Sequence, residues 1–101
     1  MARKILPQRR RSETFFMHHG KHKFQVTVGY FTTEEIGEVF ISGAKTGSEM
    51  DALCRDAAIL LSLALQHGTP LDIIRHAITR EANGEASTII GAVVDKLMQQ
   101  Q

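Results

Sequence analysis

A chain of 101 residues, 43 % apolar and 23 % charged, fits one small globular domain with a modest core. Its 6 % aromatic content and lack of Trp exclude a stacking platform of the kind that holds single-stranded nucleic acid regardless of sequence. The single cysteine, Cys54, excludes an internal disulfide, a CxxC redox pair and a Cys-rich zinc centre, and it suits a reducing, cytoplasmic setting.

The net charge of +1 hides an asymmetry. Residues 1–11 (MARKILPQRRR) carry Arg3, Lys4, Arg9, Arg10 and Arg11 and no acid, whereas the rest of the chain sums to −4. Residues 1–12 include Pro7 and have no sustained period, so a basic, flexible arm is expected there, with a single folded domain over 13–101. No apolar run follows the charges, so no secretory signal is expected.

Residues 13–31 have the pattern of a β-hairpin. Two runs rich in aromatic and β-branched residues flank Gly20-Lys21, and Gly at the first central position suits a type II′ turn. That register pairs His19 with His22, Met17 with Phe24 and Phe15 with Val26, with Val28 and Tyr30 continuing the same face. A polar turn containing TTEE follows, and EVFIS (38–42) forms a third strand.

Ser48 is placed to cap a helix, with Asp51 three residues on. The helix is expected to end at Gln66 or His67. Met50, Leu53, Cys54, Ala57, Leu61, Ala64 and Leu65 form its core stripe, and the run AAILLSLAL (57–65) makes it apolar nearly all round. Such a helix is expected to be covered by the sheet on one side and by other helices or another subunit elsewhere. The run is too short to cross a bilayer, so no membrane partner is expected. Gly68 stops the helix, and Thr69-Pro70 starts a second one over about 70–79 with Leu71, Ile74 and Ile78 inward. Ser87 or a near neighbour caps a last helix at about 88–99. The order β-β-β-α-α-α implies an α+β fold, a three-stranded antiparallel sheet with three helices on one face.

The stretches GEVFISGAKTGSEMDA and LLSLALQHGTPLDIIRHAI resemble the TSCPD domain, the small C-terminal module of cobalamin-dependent ribonucleotide reductases that also occurs as stand-alone bacterial proteins. Glu38, Val39, Phe40, Ile41, Lys45, Gly47, Ser62, Leu63, Ala64, Leu65, Gln66, Gly68 and Pro70 carry the likeness, which spans about residues 12–80. The Thr-Ser-Cys-Pro-Asp string that names the family is absent, and REANGEASTIIGAV stands in its place. The resemblance implies a non-catalytic interaction or regulatory module linked to ribonucleotide reductase or nucleotide metabolism, without the reductase's radical cysteine, thiol pair or cobalamin site. A reductase subunit is expected with it as protein partner, and the apolar run 57–65 in so small a domain adds the expectation of a homo-oligomer; no cofactor is expected.

Two other readings stay open. The arm cations Arg3, Lys4, Arg9, Arg10 and Arg11 suit either an acidic protein surface or the phosphates of a nucleic acid, with binding that falls with salt. The loop Gly43, Lys45, Thr46, Gly47, Ser48 lacks the order of a Walker loop. It serves either as a strand-to-helix turn or as a weak nucleotide or other anion site at a helix start. His19 and His22 are near enough across the hairpin to share a metal ion, although two imidazoles fall short of a structural zinc set. Glu38 is expected to neutralise Lys45 or Arg55, or to cap a backbone group.

Overall fold

The computed structural model describes residues 2–31, 35–43 and 47–100. Strands β1 (Ser12–His19), β2 (His22–Tyr30) and β3 (Ile36–Ser42) form one antiparallel sheet in the order β1-β2-β3. Three helices follow: α1 (Glu49–Gln66), α2 (Leu71–Ala77) and α3 (Ile89–Gln99). This is the α+β architecture that the element order implied.

The hairpin register is His19 to His22, Met17 to Phe24 and Phe15 to Val26, as expected. Gly20 has φ of +60° and Lys21 does not enter positive φ, which distinguishes type II′ from type I′. Phe24, Val26, Val28, Val39 and Ile41 project from β2 and β3 into the core, where α3 adds Val93, Val94 and Leu97. The third strand begins two residues earlier than the expected 38–42. Ile36 pairs with Tyr30 across a register shift after Gly29, and its buried side chain belongs to the core rather than to the preceding turn.

The helical stretch around 70–79 also differs. Pro70 stands at the cap position instead of inside the helix, Thr69 makes no capping bond there, and the helix ends at Ala77. Ile78 is extended and carries the chain to Arg80, which bridges to Ala86 and clamps Asp95 on α3. Tertiary pairing at Arg80 thus outweighs one further turn of helix. Thr88, the near neighbour of Ser87, caps α3 by accepting from the amide of Gly91.

The largest departure concerns α1. It is sheltered on one side only. Cys54, Ala58, Leu61 and Gln66 are buried, with Leu65 packed beside them. Met50 and Leu53, expected in the core stripe, are 45 % and 62 % exposed; Leu60 is 67 % exposed and Ile59 is also open. The helix is rotated by about one residue from the expected facing. The cause lies in two polar residues of its inner side, Ser62 and Gln66, which are anchored to β3.

Candidate functional site

Strand β3 forms an edge of the sheet, so alternate residues present unpaired amides and carbonyls away from β2. Helix α1 supplies side chains to meet them. Ser62 Oγ accepts from the Val39 amide at 2.9 Å and lies 3.2 Å from the Val39 carbonyl and 2.8 Å from the Ala58 carbonyl, to which its proton is donated. One turn later, Gln66 Nε2 donates to the Gly37 carbonyl at 2.8 Å. The serine and glutamine of SLALQ therefore stand in for a fourth strand. Beside them runs a groove of about 520 Å³ whose walls include Phe40, Ile41, Ile59 and Leu63, with Arg3, Glu38 and Arg55 at its polar margin.

The arm lies across one end of this arrangement. Arg3 Nε donates to Gln66 Oε1 at 2.5 Å, and the Lys4 amide donates to the Gln66 carbonyl at 2.7 Å. Lys4 Nζ reaches Glu35 at 2.8 Å and sits 4.5 Å over the Phe31 ring. Arg10 Nε pairs with Glu38 at 2.5 Å, so the partner of Glu38 is the arm and not Arg55; Lys45 lies outside the described residues. Arg11 stacks 4.2 Å from the Tyr30 ring and meets Glu13 at 3.1 Å, while the Tyr30 hydroxyl donates to Glu13. That hydrogen bond, ahead of the Arg11 charge, holds the Glu13 carboxyl below its ordinary range. Burial first, and Glu13 second, push the Tyr30 phenol up. Among the described residues, Arg9 has no ion-pair partner.

Of the anion-loop candidates, Gly43, Gly47 and Ser48 are described, whereas Lys45 and Thr46 fall outside. Ser48 Oγ accepts from the Asp51 amide at 3.1 Å, and the Gly47 amide donates weakly to the Asp51 carboxylate at 3.4 Å. Glu49 and Asp51 already place negative charge at this helix start. His19 and His22 are cross-strand partners, but the His19 ring lies 3.3 Å from the Ser87 carbonyl, donating through Nε2, and the His22 ring meets Phe24 edge-on. No three His, Cys, Asp or Glu side chains among the described residues are grouped to hold a metal ion. Burial, reinforced by the Asp51 charge, raises the Cys54 thiol above its ordinary pKa and keeps it protonated at neutral pH.

Ser62 and Gln66 were visible in the sequence only as matched letters. The signal that could have singled them out is a pair of polar residues four apart, on one face of an otherwise apolar helix.

Three curated relatives are vitamin B12-dependent ribonucleotide reductases. The chain is 39 % identical over 77 residues to that of Agrobacterium fabrum and 35 % identical over 77 residues to that of Bradyrhizobium diazoefficiens. It is 35 % identical over 72 residues to that of Rhodopirellula baltica. These matches cover 71–76 % of this chain but only 6–7 % of the reductases, so the chain corresponds to a small part of their length. No solved structure is significantly similar to it. No helix of the described residues is long and apolar enough to cross a membrane. The TSCPD domain family matches residues 2–101, and with its relatives among the reductases this shows that the chain belongs to the TSCPD domain family.

Proposed function

We propose that this chain is a non-catalytic TSCPD interaction module, linked to ribonucleotide reduction or nucleotide metabolism, that works as a homo-oligomer. The observation that carries the oligomer is the outward stripe of α1. Met50, Leu53, Ala57, Leu60 and Ala64 recur at alternating steps of three and four, which lines them along one flank. Leu53 and Leu60 stand largely in solvent on that flank, and burying each would contribute about 1.5–3 kcal/mol.

A second copy of the chain suits this stripe. Its centre, Ala57, is small and allows close approach, and a leucine lies on each side at nearly equal spacing. A two-fold axis near Ala57 sets Leu53 of one copy beside Leu60 of the other, the self-matching arrangement of an isologous dimer. The non-catalytic reading draws on the single thiol, Cys54, being buried and held protonated. The reductase link rests on the family and on the relatives' identity.

Light scattering coupled to size exclusion tests the assembly. The expected result is an oligomer that Leu53→Glu with Leu60→Glu converts to a monomer of unchanged far-ultraviolet circular dichroism. A wild-type chain that stays monomeric at high concentration rejects the oligomer. Ribonucleotide turnover by the purified chain rejects the non-catalytic role.

A further inference from the structure

The five cations of the arm make it a candidate ligand for phosphates, yet four of them are already engaged by this chain. Lys4 holds Glu35, Arg10 holds Glu38, and Arg11 is seated on Tyr30 and Glu13. Arg3 and the Lys4 amide both meet Gln66, the last residue of α1. That helix has no basic residue in its final turn, so the arm brings positive charge to the end where the aligned carbonyls concentrate negative charge.

The seat is also shaped for the arm. A Cβ at Gly37 would come within 2.6 Å of the Leu6 side chain, and Gly29 leaves the space that the Glu38 side chain fills on its way to Arg10. Backbone pairing closes the far end, where the Tyr30 amide donates to the Arg11 carbonyl at 3.0 Å. Contacts thus recur along the whole arm, from residue 3 to residue 11.

We infer that the arm is an internal strap: Glu35, Glu38 and the end of α1 hold its cations, and the cations reach an external polyanion only by leaving that seat. The strap and the polyanion compete for the same groups. Surface ion pairs are individually weak and screened by salt, so the seat is one that a ligand with several phosphates displaces. Salt weakens the internal pairs as well as the external contacts. The affinity for a polyanion therefore falls less steeply with salt than a free arm of equal charge would show. This inference does not depend on self-association.

Its test uses the full chain and a fluorescent single-stranded oligothymidylate as the polyanion. Glu35→Gln with Glu38→Gln frees the arm. Asp72→Asn with Glu85→Gln makes the same change in net charge at residues that do not touch the arm. The first pair is expected to tighten binding about fivefold or more at low salt, by removing two internal competitors, and to steepen the salt dependence. The second pair is expected to change binding by much less. Equal tightening by both pairs reduces the effect to overall charge and overturns the strap, as does absence of binding by the Glu35/Glu38 variant.

A second measurement needs no oligonucleotide. Tyr30 is the only tyrosine and there is no Trp, so its emission reports the Arg11 contact directly. In the wild type that emission is expected to shift with added salt toward the value of the full-length Arg11→Ala variant. Emission that is the same in the wild type and in Arg11→Ala overturns the docked position.

Discussion

Ser62 and Gln66 show how two polar side chains on an apolar helix set its facing. Each reaches a backbone group of β3 that an edge strand would otherwise leave to water, and together they rotate α1 toward the sheet. Family likeness had already marked both residues, but their use depends on a strand more than twenty positions away and could not be read from local pattern. Asp95 has a comparable role at the other end of the helical layer. The Arg80 guanidinium holds it through paired bonds of 2.7 and 2.9 Å, and Arg75 adds a longer contact at 3.4 Å. The Arg80 hydrogen bonds, ahead of the two arginine charges, depress the Asp95 carboxyl below its usual range. A carboxyl depressed in the folded state contributes stability above its unfolded pKa and loses it as pH falls through its folded pKa. Thermal melts of wild type and Asp95→Asn should therefore differ most at neutral pH and converge under acid conditions below the usual carboxylate range. A gap that widens on acidification would contradict the sign.

At the scale of elements, the hairpin was the most legible part. Gly20 demanded a primed turn, and the turn in turn fixed which residues face one another. The start of α1 was equally legible, because Ser48 carries its capping chemistry locally. The facing of α1 was not. A helix with apolar residues on nearly every side has several stripes of similar hydrophobicity, and periodicity does not choose among them. Adjacent leucines offer a direct check. Leu61 is buried and Leu60 exposed, so Leu61→Ala should cost about 2–5 kcal/mol in urea unfolding of the monomer. Leu60→Ala should stay within about 0.5 kcal/mol under the same dilute conditions. Reversal of that order would contradict the observed facing.

For the whole molecule, the stripe left open on α1 and the arm laid over the end of that helix are the two features bearing on assembly. Self-association would make stability depend on concentration, because a partner that binds only the folded chain shifts the equilibrium by mass action. The melting temperature of wild type should rise with protein concentration, and that of the Leu53→Glu/Leu60→Glu variant should not. The arm separates what its charge suggests from where its atoms lie: a run of cations without acids is plain in sequence, but the acids that receive it stand at Glu35 and Glu38, beyond the hairpin. By itself the sequence determined the α+β order, the hairpin register, the cap of α1 and the family, since these follow from residue periods and from contacts a few positions apart. Only the tertiary structure decided which side of α1 meets the sheet and where the arm rests. Both depend on hydrogen bonds and ion pairs between residues tens of positions apart, for which local pattern carries no signal.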